Sequence, residues 1–116
     1  MTSGLYAGAP ALEEQSAQLA DMYRTIHEKQ LDCPDPLIRE FLLGQAVYND
    51  RLHLADPSMH PDDYLPPALD LVAYDRRCFT WPPDVPGPDS NAWTGDDGVL
   101  EYVRAQWCWA QQNARR

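Results

Sequence analysis

Between Trp81 and Trp93 the chain reads WPPDVPGPDSNAW, with prolines at 82, 83, 86 and 88 and a glycine at 87. Each proline removes a backbone donor and fixes φ, so neither a helix nor a central strand runs through this stretch. It has to be an irregular connection, and one of this length inside a compact domain is usually either functional or disordered. The flanking tryptophans favour order, because disordered linkers are poor in aromatics. Two readings stay open. The loop is a lid that seals the core with two indoles, or it is an aromatic, acidic surface for a peptide. In the second, Trp81 and Trp93 are anchors and Asp84 and Asp89 meet cationic groups.

Around the loop the pattern is helical, and no window alternates with period two. Residues 1–9 read as a loose arm. Pro10 opens a first helix, with Glu13 and Glu14 complementing its dipole. Leu12, Leu19 and Ile26, interleaved with Ser16, Tyr23 and Gln30, make an imperfect apolar stripe as far as Gln30, and Leu31-Asp32-Cys33-Pro34 stops it. Asp35 as N-cap and Pro36 at the first helical position start a second helix that runs to Leu54 or Ala55. Its apolar face is Ile38, Phe41, Leu42, Tyr48 (or Gln45) and Leu52, and Gly44 marks a close approach by another backbone or a ligand. A third helix starts at Pro66 or Pro67, or near Asp62 with an interruption at the proline pair. It packs Leu69, Val72 and Leu71 inward and ends at Arg77 to Phe79. Thr94 caps a last helix, with Asp96 and Asp97 in its first turn and Arg115 and Arg116 at its negative end. Leu100, Val103, Trp107 and Ala110 form one face of that helix. Tyr102, Ala105 and Trp109 form another, for a loop or a second subunit. The expectation is one all-α domain over 1–116, a bundle of four main helices.

With 116 residues and 44% hydrophobic content the chain can bury one core. Eighteen acidic residues against nine basic ones leave a net charge of −9, which argues against nucleic acid and against an anionic membrane surface. A cationic peptide, protein or amine is attracted instead. Cys33, Cys78 and Cys108 are an odd set without CxxC spacing, and read as free thiols in a reducing cytoplasm with neither a disulfide framework nor a zinc site. The N-terminus lacks the charged and apolar regions of a signal peptide, and no apolar stretch approaches a membrane span.

No nucleophile elbow, phosphate loop or dinucleotide fingerprint is present. Catalysis here would rest on positioning and electrostatics, with no cofactor and no metal. Arg24 and His27 share a helix face beside Asp21 and Glu28. Asp50 and His53 carry the carboxylate–histidine spacing of di-metal bundles, but those need it twice plus two further carboxylates. If the first two helices are antiparallel, His27 lies nearer Arg39 than His53, so the two pairs need not form one site. His60, flanked by Asp62 and Asp63, is either an acid or recognition group, or a bystander to a helix cap made by those aspartates.

The opening MTSGLYAGAPALEEQ and the WPPDVPGPD segment, with the size, acidity and helical pattern of the whole chain, resemble one family. These are the small proteins of duramycin- and cinnamycin-type lantibiotic clusters that form the lysinoalanine bridge. The resemblance implies a cofactor-free enzyme that adds a substrate lysine amine to a dehydroalanine of a lanthipeptide precursor. It also implies substrate-assisted catalysis, in which a hydroxylated aspartate of the peptide helps deprotonate the lysine, and a homodimer with a shared site. On residue chemistry, Arg24 can then hold a carboxylate, and His27 or His60 can move a proton or polarise the carbonyl that becomes an enolate. Tyr48 and Tyr64 can donate to that oxygen, and His53, Trp81 and Trp93 join them as peptide-binding residues. Two other classes compete: a non-enzymatic acidic binding or immunity module for a basic partner, and a metal-dependent helical-bundle enzyme.

Overall fold

The proline and cap signals place most of the helix starts. In a computed structural model, which describes residues 5–33, 35–93 and 95–114, four helices follow in order. They are α1 (Leu12–Glu28), α2 (Pro36–Ala55), α3 (Pro61–Cys78) and α4 (Gly95–Ala114). Among the described residues there is no strand, as the missing period-two pattern requires. Asp35 caps α2, its carboxylate accepting from the Leu37 amide at 2.9 Å. Pro34, Thr94, Arg115 and Arg116, and the side chain of Asp96, lie outside the described residues.

The third helix starts at Pro61, one residue from the alternative start near Asp62, and is one continuous element, with neither a start at Pro66 nor an interruption there. Pro66 and Pro67 stand in its second turn, where they withhold donors from the carbonyls four residues back, those of Asp62 and Asp63. Both aspartates are exposed, so water can serve those carbonyls. The helix begins earlier because His60 caps it, its Nδ1 accepting from the Asp62 amide at 3.1 Å. The cap is therefore His60 itself and not Asp62 or Asp63.

α1 and α2 are antiparallel. The Gln15 amide donates to the Gly44 carbonyl near the start of α1, and Tyr23 near its end meets Phe41 with ring centroids 5.8 Å apart. Gly44 has the close neighbour its position suggests, since a Cβ there would lie 2.8 Å from a methyl of Leu19. α2 is the central helix: α1, α3 and α4 all pack on it, and α1 touches no other helix among the described residues. The buried face of α2 is consequently Leu43, Ala46, Val47 and Asp50. The residues expected there, Ile38, Phe41, Leu42, Tyr48 and Leu52, are only half-buried at its flanks. Ala46 faces a core with Ala68, Leu71 and Val72 of α3 and Leu100, Tyr102 and Val103 of α4. Leu69, expected inside, is 50% exposed on the far side of α3.

Two further expectations are corrected. Cys33 and Cys78 form a disulfide that ties the α1–α2 connection to the end of α3, and Cys108 alone is free. The fold brings the pair together across 45 residues, which no local spacing could reveal. This removes the thiol argument for a reducing compartment. Among the described residues no helix is long and apolar enough to cross a membrane. Residues 5–9, part of the supposed loose arm, instead form a turn closed by Ala9 N–H to Tyr6 C=O at 3.0 Å. Tyr6 is buried, its ring edge-on to Trp107 at 5.2 Å.

Candidate functional site

Two carboxylates are wholly buried, and each organises one end of the helix packing. Asp75, on α3, accepts four hydrogen bonds. Arg39 donates Nε and Nη2 to it at 2.8 and 3.0 Å, the Tyr102 hydroxyl donates at 2.6 Å and the Thr80 hydroxyl at 2.7 Å. Asp50, on α2, takes Nε and Nη2 of Arg104 at 2.8 and 2.9 Å and the Tyr6 hydroxyl at 2.5 Å. Fork-to-fork pairing of this kind satisfies both oxygens at once, which a buried carboxylate needs. Burial is the largest influence holding the Tyr6 and Tyr102 hydroxyls protonated, and the adjacent aspartate charges add to it, so both pKa values are strongly raised.

Arg39 has a second role. Its Nη2 also donates to the Gln106 Oε1 at 2.8 Å, while its Nη1 has no acceptor among the described residues. Burial works against its charge most strongly, but hydrogen bonds and attraction from Asp75 outweigh that and raise its pKa. Arg39 is thus a cation fixed in place on one side, with donors left over on the other. Arg104 and Gln106, two residues apart on α4, reach Asp50 and Arg39, eleven apart on α2. These two contacts tie α4 to both halves of α2.

Among the described residues α1 and α4 both pack on α2 and not on each other, which leaves a groove between them floored by α2. It consists of two adjoining cavities of about 360 and 370 Å³ that share Glu40, Leu43 and Ala110. Gln18, Leu19 and Met22 form the α1 wall, and Trp107, Ala110 and Gln111 the α4 wall. At the far end the smaller cavity is bounded by Pro36, Arg39 and Thr80. Arg39 and the exposed Glu40 are the charged groups of this lining. Both cavities lie in the size range of small-ligand sites, and together they suit a short peptide segment.

The structure distributes the residues singled out from sequence. Arg24 is exposed and paired with Asp21 one helical turn away, and His27 meets Tyr23 at 4.2 Å with the rings tilted by 49°. Both lie near the α1 end that faces the start of α2. His60 lies beyond the opposite end of α2 as a helix cap, so Arg24, His27 and His60 are not brought together. His53 stacks flat on Tyr64 at 3.8 Å where α2 turns into α3, and its Nδ1 is buried without a partner among the described residues. Tyr48 is half-buried on α2. None of these residues lines the groove. Among the described residues no three His, Cys, Asp or Glu side chains are placed to share a metal.

The proline-rich loop is ordered around Gly87. The Trp93 indole donates to the Gly87 carbonyl at 3.0 Å, and the Trp81 ring lies where a Cβ on Gly87 would come within 3.0 Å. Trp93 then meets Tyr102 edge-on at 5.6 Å, so the second face of α4 is covered here by the chain's own loop. Pro82, Val85 and Pro88 are buried beneath it.

Arg39, Glu40, Asp75 and Arg104 carry the site's electrostatics, and sequence reasoning gave none of them a functional role. A signal was present. Asp75 follows Leu71 and Val72 at helical spacing, and Asp50 follows Ala46 and Val47, which puts each carboxylate on a buried stripe where it demands a partner. Compared with protein-family models, with curated proteins and with solved structures, the chain has no significant match in any of the three.

Proposed function

We propose that the groove between α1 and α4 holds a dehydrated lanthipeptide precursor, and that the protein forms a lysinoalanine cross-link in it without a cofactor. One observation carries this reading: a fixed cation, Arg39, stands beside an unshielded carboxylate, Glu40, on the floor of an otherwise uncharged groove. In aza-Michael addition the lysine nitrogen bonds to Cβ of dehydroalanine and the Cα–Cβ π bond breaks. The electron pair moves toward the adjacent carbonyl, and the proton lost by the amine is balanced by one gained at Cα. The reaction needs a substrate ammonium, with an ordinary pKa of about 10.4, to lose a proton near neutral pH. Glu40 attracts the ammonium into the groove. Arg39, which lines the groove, holds the substrate carboxylate that acts as base. The protein's contribution is to bring amine, base and alkene together, and bringing reactants together can supply much of the barrier reduction for such a step. Arg39 takes the carboxylate-holding role first considered for Arg24. A homodimer with a shared site belongs to the same proposal.

The test is incubation of the protein with a dehydrated, cyclised precursor. Because the addition leaves mass unchanged, the cross-link is read by tandem fragmentation. Ring closure faster than in a protein-free control supports the reading, and equal rates reject it. Glu40→Gln is expected to weaken binding up to about fivefold, the range of an exposed ion pair. The net charge of −9 favours one second reading, a binding module that holds a basic peptide without converting it. Tight binding with no cross-link would select that alternative.

A further inference from the structure

α3 ends on Phe79 in the left-handed conformation, φ 53° and ψ 48°, and the side chain is among the most exposed large apolar groups, with the residue 77% accessible. Glycine is the usual residue at such a helix end because it has no Cβ to strain. Phenylalanine there carries the strain and gains little burial from the chain itself. The ring is not isolated, since Trp81 lies 5.8 Å away at 45°, its indole backed by Gly87. The short segment between the two rings is pinned twice. Cys78 is bonded to Cys33, and Thr80 donates to the buried Asp75. Thr80 also bounds the groove beside Arg39. This aromatic pair, on a backbone held at Cys78 and Thr80, is therefore continuous in the chain with the Arg39 end of the groove.

We infer that Phe79 and Trp81 form an aromatic anchor for the peptide held in that groove, gripping an apolar side chain, aromatic above all, where the peptide leaves the Arg39 end. This rests on the groove being the peptide site. The backbone on both sides of Phe79 is held before binding, which limits the ordering cost of the contact. Ring-on-ring contact with an incoming aromatic side chain adds attraction beyond area alone. The anchor also gives the groove a direction. The cationic part of the peptide sits over Glu40, and the aromatic part lies beyond Thr80.

The test compares Phe79→Gly with Ala110→Arg, which fills the groove, by calorimetric titration with the dehydrated, cyclised precursor and by thermal unfolding. The inference predicts that Phe79→Gly unfolds at the same or a higher temperature, because left-handed strain is relieved, yet binds roughly tenfold more weakly. A precursor with its aromatic residues changed to alanine should lose the same factor on the wild type and almost nothing further on the variant. Wild-type affinity in Phe79→Gly, with binding abolished in Ala110→Arg, overturns the anchor and leaves the groove standing. Unchanged binding in both variants, or no binding by the wild type, overturns the groove reading and the anchor together. A large loss of stability in Phe79→Gly would assign the ring a structural role and also overturns the inference.

Discussion

Replacing Asp75 with alanine should be among the most damaging single changes available to this chain. The carboxylate is fully buried and accepts from Arg39 twice, from Tyr102 and from Thr80. Its removal strands a guanidinium whose side chain is 17% exposed and takes the acceptor from the Tyr102 and Thr80 hydroxyls. Breaking a buried ion pair from one side costs about 3–5 kcal/mol. With an unfolding entropy of about 2.1 cal/mol/K per residue, 116 residues give roughly 0.24 kcal/mol/K near the transition. A loss of about 4 kcal/mol therefore lowers Tm by roughly 16 °C. Thermal unfolding followed by helical circular dichroism measures this directly. The double variant Asp75→Leu, Arg39→Met removes the stranded charge with its partner and should recover much of the loss. A fall of only a few degrees in Asp75→Ala, or a double variant that is worse still, would refute the view that this cluster organises the packing of α2, α3 and α4.

Alkaline pH provides a second check. Tyr6 and Tyr102 have raised pKa values in the folded chain, so the unfolded chain loses these two protons first. Stability should be insensitive to their ionisation below about pH 10 and fall above it by about 1.4 kcal/mol per pH unit for each tyrosine. Absorbance at the tyrosinate band should show at least two tyrosines ionising only as the protein unfolds, and complete tyrosine ionisation in the still-folded chain would contradict the burial argument. Reducing the Cys33–Cys78 bond, which closes a loop of about 45 residues, should lower stability by about 4 kcal/mol on loop entropy alone. Equal urea midpoints for the oxidised and reduced chains would remove that contribution.

The helices were legible because their signals are local. Asp35-Pro36 started α2 where it starts, and the missing alternation excluded sheet. The faces were less legible. α2 packs on three helices, so its buried stripe is displaced from the one its bulkiest side chains suggest, and Asp50 belongs to it. Pro66 and Pro67 left the start of α3 open between themselves and Asp62, because their effect depends on distance from the helix N-terminus, and His60 is an uncommon cap. The disulfide and the pairing of Arg39 with Asp75 and Arg104 with Asp50 join residues 36 to 54 positions apart. No local pattern specifies such partners. Histidine stands out in a sequence because its chemistry is versatile, whereas the groove is made by α1 and α4 packing separately on α2 and by residues as plain as Leu43 and Ala110.

The account stands most directly on where a peptide binds. Backbone amide chemical shifts of the labelled protein, followed during titration with the dehydrated, cyclised precursor, locate the contact without reference to turnover. The account predicts saturable changes concentrated at Gln18 to Met22, Arg39 to Gly44, Thr80 and Trp107 to Gln111, lining both walls and the floor of the groove. Changes confined instead to the exposed face of α3 around Leu69, or to the surroundings of Arg24 and His60, would contradict it.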